Sequence, residues 1–537
     1  MKQTPALSRA LAVLPSVSDL RSMGRAPRRD LLCGLTVAVV ALPLALGFGV
    51  TSGLGAASGL VTAIVAGALA ALFGGSARQV SGPTGAMTVV LVPIVHRYGA
   101  DGVLTVGLIA GALLLVLAFA RAGAAMAYVP APVIAGFTLG IACVIALQQM
   151  PSALGVPVPH GEQVAAVALR AAEEFGRSPR WPALALSLGA AAVMLAGARW
   201  KPGLPFSLVA VAAATLAAEG LGLHVTRIGS LPSSLPAPSL AFFDPARVPS
   251  LLAPAAAVAA LAALESLLSA SVADGMRPGE RHDPGKELFG QGVANLAAPL
   301  FGGVPATGAI ARTAVNVRTG AVSRLAALAH AVILAGIVAA AAPLVARIPL
   351  AALAGVLLAT AVRMVETDAV RAMARATRGD ALVLTLTACA TLGLDLVRAV
   401  LLGLAVSVLL ALRAAVRGSR LTPAAADEAP GCANVTYRFD GPLLFAAAHR
   451  FRAGLAELHG VTAVDLRMSG LTAVDATGAL ALKDAVGDLR DRGIEVRITG
   501  VERGHRHVLE SVGVLPAGVQ PSSNRGAIPS VTGVPAP

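Results

Sequence analysis

Charged and aromatic residues are both scarce in this chain: Asp, Glu, Lys and Arg make up 13% of its 537 residues, and Phe, Trp and Tyr only 3%. Together with a hydrophobic fraction of 56%, the first scarcity excludes a soluble globule, which needs far more polar surface to face water. The second removes the aromatic-basic patches on which nucleic acids are recognised, so the net charge of +13 needs another explanation. Cysteine is limited to Cys33, Cys143, Cys389 and Cys432. They stand singly without a CxxC spacing, and imply neither a disulfide framework nor a metal centre. His96, His282 and His330 are isolated, with no HExxH, and no Walker loop or nucleophile-base pair occurs. No enzyme, resident cofactor, metal site or nucleic-acid partner is expected.

What the chain does have is long apolar runs and a repeated phrase. LFGG at Leu72–Gly75 is followed by TGA at Thr84–Ala86, and LFGG at Leu300–Gly303 by TGA at Thr307–Ala309. Apolar runs of roughly 15 to 25 residues, the length that crosses a bilayer, lie near 32–52, 55–74, 83–97, 103–120, 129–150, 183–199 and 205–222. A second set lies near 251–273, 287–301, 307–317, 323–346, 349–363, 380–395 and 397–416. The expected fold is an α-helical polytopic membrane protein of 14 spans in 7+7 inverted repeats, because an odd number of spans per copy reverses the second copy in the membrane. The gap from LFGG to TGA is longer in the first copy, so the difference falls where a re-entrant segment can absorb it.

Arginine and lysine place the chain in the membrane. They cluster in alternate connections, for example at Arg78, Arg121, Lys201, Arg281 and Arg318, which puts both termini in the cytoplasm by the positive-inside rule. Arg21, Arg25, Arg28 and Arg29 precede the first span with no cleavage signature after it, so that span reads as a signal-anchor in the inner membrane. The loops 151–182 and 223–250 read as surface elaborations. After residues 1–30, on the cytoplasmic side, and the membrane domain 31–420, a polar linker is expected over 421–433. A small α/β domain follows over 434–516: VTYRF, AVDLRMS and IEVRITG have strand character, with helices expected near 447–459, 478–492 and 504–512. The tail 517–537, rich in Ser, Asn, Gly and Pro, is expected to be disordered.

Chemistry concentrates at the repeated phrase. A helix that begins inside a membrane aims unpaired N–H groups and partial positive charge at its gap, so an anion site is expected at Thr84, Gly85, Ala86, Thr88, Thr307, Gly308 and Ala309. Tight helix crossing through small residues would produce the same sequence. Arg312, one turn further on, adds positive charge there or faces headgroups or a cytoplasmic acid, and Pro43 is expected to kink or break the first span and so let it line the cavity. Glu265 is an acid inside a span that holds no arginine or lysine, the usual mark of an ion pathway. Ser269 lies at i+4 on the same helix face. Glu265 and Ser269, with Gly308, are read as the coupling-ion site: the carboxylate either exchanges a proton or holds Na+ with added oxygen ligands.

These residues resemble the SulP family of inorganic anion transporters along nearly the whole chain. DLLCGLTVAVVALPLALGFG, ALFGGSARQVSGPTGAMTVV, ESLLSASVADG, ELFGQGVANLAAPLFGG and GAIARTAVNVRTG look like that family's first, second-third, eighth, ninth and tenth spans, in order. The resemblance implies core and gate domains, an elevator-like movement, homodimers, and a cytoplasmic STAS domain marked by VDLRMSGLTAVDATGAL. In STAS domains of the anti-sigma-antagonist type a phosphorylated serine follows the aspartate, where this chain has Ala476. ALPLALGFG with SGPTGAMTVV looks most like the bicarbonate-transporting branch, and Leu44 replaces the glutamine of sulfate-type members. Sodium-dependent bicarbonate carriers typically have aspartate and threonine where this chain has Glu265 and Ser269, a pattern nearer to proton-coupled members that carry dicarboxylates. The implied function is secondary active transport of a small anion, bicarbonate first, then sulfate or a C4-dicarboxylate, coupled to Na+ or H+. The rivals are an uncoupled channel or exchanger on the same scaffold, and a membrane-anchored protein that acts through a cytoplasmic partner of its STAS domain.

Overall fold

The computed structural model describes residues 21–124, 129–159, 163–200, 205–232, 234–277, 281–394, 396–424, 434–444, 455 and 461–515. It divides into two compact units at Leu404/Ala405.

The first unit is helical. Its helices are α1 (Pro27–Thr51), α2 (Ala56–Phe73), α3 (Gly85–Phe119), α4 (Ala131–Leu154), α5 (Val164–Arg177), α6 (Trp181–Trp200), α7 (Phe206–Gly220) and α8 (Val248–Met276). They continue as α9 (Pro284–Ala297), α10 (Ile310–Thr319), α11 (Leu325–Val345), α12 (Leu350–Met364), α13 (Thr367–Ala376) and α14 (Arg378–Gly393), and the boundary between the units falls within α15 (Leu396–Gly418). Among the described residues, nine helices are long and apolar enough to cross a membrane. Every one of the fourteen apolar runs read from the sequence falls on a helix, and two share α3, which kinks at Gly99 where φ is 72°. Only glycine adopts that conformation at low cost.

Small residues set the packing. A Cβ on Gly59 of α2 would sit 2.0 Å from the Ala45 carbonyl of α1, and one on Gly111 of α3 would sit 2.7 Å from the Leu296 amide of α9. Backbones approach this closely only where side chains are missing, which is how helices associate when lipid supplies no hydrophobic drive. The helices sort into two packed groups, α1–α3 with α8–α11, and α4, α6, α7, α12 and α14, which meet where α1 lies against α7 and α12.

Two differences from the sequence reading concern helices. Pro43 does not break α1, which runs unbroken from Pro27 to Thr51 with Pro43 buried inside it; neighbouring helices sustain a span around the lost N–H. The loop 151–182 contains the amphipathic α5, and part of 223–250 is anchored to the helical body, with Ser239 N–H bonded to Leu300 O at 2.8 Å and Ile228 N–H to Ile348 O at 3.0 Å.

The second unit holds a four-stranded sheet of β3 (Arg420–Ala424), β4 (Asn434–Leu443), β5 (Ala463–Val474) and β6 (Glu495–Thr499), in that order. β3 runs antiparallel to β4, while β4–β5 and β5–β6 are parallel. Helices α16 (Ala476–Asp491) and α17 (Arg503–Ser511) help bury Phe439, Leu466, Met468, Leu482 and Leu509. The residues expected to open a linker, 421–424, form the edge strand instead. Pro423 fits there, opposite Tyr437, because an edge strand tolerates a missing donor. The expected helix near 447–459 and the tail 517–537 lie outside the described residues, apart from Leu455.

Candidate functional site

Both repeated phrases form the same local structure. After α2 the chain extends through a two-residue strand, β1 (Ser81–Gly82), before α3 begins; after α9 and a short 3-10 turn it extends through β2 (Thr307–Gly308) before α10 begins. β1 and β2 pair antiparallel, Ser81 opposite Gly308 and Gly82 opposite Thr307, and Ala309 N–H donates to Val80 O at 2.9 Å. The two interruptions are thus one joint, buried throughout.

Thr84 starts α3 and reaches the acid. Its hydroxyl oxygen accepts from Met87 N–H at 3.3 Å as the N-cap, while its proton goes to Glu265 Oε2 at 2.9 Å. Glu265, on α8, is 6% exposed. The next residue, Ser266, accepts from Gly308 N–H at 2.9 Å and lies 2.9 Å from Thr307 Oγ1. Thr307 gives its own proton to Ala262 O at 3.2 Å, so Ser266 is the donor between the two hydroxyls. One turn of α8 therefore touches the first interruption through Glu265 and the second through Ser266.

Ser269 does not join Glu265. It donates to Thr313 Oγ1 at 3.0 Å, an oxygen that also accepts from Val80 N–H at 3.0 Å. Sharing a helix face at i+4 did not decide its partner, because Thr313 of α10 stands closer to hand.

Arg312 lies inside rather than at a headgroup surface. It is 1% exposed, one guanidinium nitrogen donates to Pro83 O, and a Cβ on Gly82 would sit 2.5 Å from the other, Nη1. Arg312 and Glu265 stand in each other's electrostatic field, so the charge missing from Glu265's own span comes from α10.

The remaining expected residues divide by role. Gly85 opens α3 on the seam between the two helical groups, where a Cβ would sit 2.2 Å from Ile145 of α4 and 3.2 Å from Phe48 of α1. Phe48 is thus an α1 side chain that reaches the first interruption. Ala86 is buried beside it, and Thr88 bonds Gly85 O at 2.7 Å. Gly308 and Ala309 spend their amides on Ser266 and Val80. The free donors of the second interruption are therefore the first-turn amides of Ile310, Ala311 and Arg312, which precede the first intrahelical bond, Thr313 N–H to Ala309 O. Ala311 is exposed and Ile310 partly so, in contrast to the buried joint behind them. Sequence reading passed over Ser266, Phe48, Ile310 and Ala311; the last two act through backbone amides and have no polar side chain that would signal them.

By class the chain is an anion transporter of the membrane and not an enzyme. The chain belongs to the sulfate permease family, whose model matches residues 28–387. A STAS domain model matches residues 424–520. YvdB of Bacillus subtilis (strain 168), a protein named for sulfate transport, is 32% identical over 501 residues, covering 91% of this chain and 94% of its own. The transmembrane domain of the cyanobacterial bicarbonate transporter BicA is similar in structure with a TM-score of 0.63 and 31% identity, over 72% of this chain and 98% of that one. The murine anion transporter Slc26a9 in its inward-facing state shares the fold at a TM-score of 0.84 and 15% identity, over 96% of this chain and 92% of its own.

Proposed function

We propose that the protein is a secondary active transporter of a small anion, bicarbonate first and sulfate or a C4-dicarboxylate next. Na+ or H+ drives it through Glu265. The anion sits at the starts of α3 and α10, held by first-turn amides with Arg312 supplying field, and the group α1–α3 with α8–α11 carries it past the other helices in an elevator movement. The likeness to BicA supports bicarbonate, and that to YvdB supports sulfate. The working form on this reading is a homodimer in the inner membrane with both termini in the cytoplasm, where the STAS domain meets its partner.

The observation that carries the reading is the contact pattern of α8. Glu265 holds Thr84 of the first interruption and Ser266 holds Thr307 and Gly308 of the second, so a proton or Na+ arriving at the carboxylate is felt at both helix starts. Uptake of labelled bicarbonate, sulfate and fumarate into proteoliposomes, under separate proton and sodium gradients, tests it. Wild-type protein is expected to accumulate one of these anions under one of the gradients, and Glu265→Gln is expected to abolish accumulation while the protein remains monodisperse. Undiminished gradient-driven uptake by Glu265→Gln would overturn the assignment.

A further inference from the structure

Helix α9 presents Glu287, Gln291 and Asn295 at i, i+4 and i+8, one polar stripe, and all three are at least 98% buried. Every group that reaches the Glu287 carboxylate is a donor: Gly75 N–H at 2.9 Å and Ser76 N–H at 3.2 Å on Oε2, Gln79 Nε2 and Gln291 Nε2 each at 2.9 Å on Oε1. Among the described residues that makes four donors and no acceptor, the arrangement that an ionised carboxylate satisfies.

The carboxylate dictates how both amides are turned. Gln79 and Gln291 direct Nε2 to Glu287 even though each is left with a buried Oε1 that has no partner. That orientation has consequences at the joint. Gln79 Nε2 lies over Gly308, where a Cβ would sit only 1.9 Å away, and Gln291 Nε2 also donates to Ser81 Oγ at 2.7 Å. Gly308 and Ser81 form one of the two residue pairs across β1 and β2.

We propose that Glu287 is a positioning residue for anion binding: its charge fixes the amides of Gln79 and Gln291, and through them the β1–β2 joint from which α3 and α10 start. It touches neither the anion nor the coupling ion. The proposal rests on the transport reading above and adds to it a second buried acid with a different task. Glu265 meets a single hydroxyl and is left able to exchange its ion; Glu287 is fully engaged and stays as it is.

Replacing Glu287 by Gln tests this, because an amide cannot accept from donors at both ends. Whichever way it turns, its NH2 faces two N–H groups. Relief at that end requires Gln79 and Gln291 to flip, which puts an acceptor oxygen in place of Nε2 over Gly308 and reverses the bond to Ser81, whose hydroxyl must then donate. Gln79→Met removes the amide from Gly308 and leaves the carboxylate in place. Both variants, their double and Glu287→Asp are compared with wild type in proteoliposomes, reading KM and Vmax for labelled bicarbonate and sulfate per mole of monodisperse protein. Glu287→Gln and Gln79→Met are each expected to raise KM roughly tenfold, the scale of one charge-assisted hydrogen bond, with Vmax per folded molecule little changed. Glu287→Asp, which keeps the charge, is expected to recover part of the loss. The double variant is expected to fall no further than the worse single, because the carboxylate acts through the glutamine.

Unchanged KM in Gln79→Met, or KM losses that simply multiply in the double, would overturn the proposal. If Glu287→Gln does not fold, Gln79→Met still decides it. Absence of uptake by the wild type under every gradient would instead refute the transport reading, and so the two failures are distinguishable.

Discussion

Gly308 illustrates how much depends on single atoms here. In the sequence it is one glycine among many, yet a Cβ there would meet Gln79 and the backbone of Ser266, whereas a Cβ on Gly336 of α11 would meet nothing within 4 Å. Gly308→Ala is therefore expected to cost about 1–3 kcal/mol as an overpacked site and to depress uptake. Gly336→Ala should leave both melting temperature and uptake unchanged. Thermal unfolding of purified protein followed by size-exclusion chromatography separates the two outcomes, and equal behaviour of the pair would remove Gly308 from the joint. Glu265 was legible as a lone acid in an apolar run, and Thr84 as a helix start. The choice of Ser266 over Ser269 was not, because hydroxyls one turn apart on α8 are distinguished only by what α10 and β2 bring opposite them, more than forty residues away in the chain.

The interruptions between α2 and α3 and between α9 and α10 were legible as elements because glycine, proline and small residues punctuate otherwise apolar runs. Their pairing into one β1–β2 joint was not, since strands of two residues carry no periodicity. The support behind the joint was likewise hidden: ELFGQGVAN reads only as the start of the ninth span, and the structure shows that its three polar residues clamp both repeats. Asn295 is the clamp of the second copy, donating to Ala306 O at 2.9 Å and accepting from Ala306 N–H at 2.8 Å. Asn295→Ala strands both backbone groups in a buried setting, where each unsatisfied partner costs about 1–3 kcal/mol. The expected result is a clear drop in melting temperature together with faster amide exchange across residues 302–309, and no acceleration across residues 74–80, which Glu287 holds. Uniform acceleration across both segments would show that the two clamps are not separable. The short amphipathic helices α5 and α13 escaped the sequence reading for the opposite reason: a search for continuous apolar runs passes over helices whose polar residues recur every turn.

The division of the chain into two units leaves the STAS domain with a core of its own. The second unit's buried residues Phe439, Leu443, Leu466, Met468, Leu482, Leu489 and Leu509 pack against one another, so its core is supplied by its own sequence. Alternating apolar positions in VTYRF and AVDLRMS made the sheet legible, while β3 was obscured by Pro423, which argues against a strand until the strand is known to lie at an edge. Asp475 caps α16 by accepting from Gly478 N–H at 2.7 Å, and Ala476 follows it with no hydroxyl to phosphorylate, so regulation through that position is not available to this chain. All the residues of the β1–β2 joint, Glu265, Arg312 and the α9 stripe lie in the first unit. A chain ending at Leu421 is accordingly expected to insert, to remain monodisperse and to keep saturable, gradient-driven anion uptake in proteoliposomes. An altered Vmax in that chain would measure what the STAS domain contributes to regulation. Complete loss of uptake by a correctly inserted truncated chain would instead move the essential function to the C-terminal domain, and with it the meaning of the buried acid and the paired interruptions.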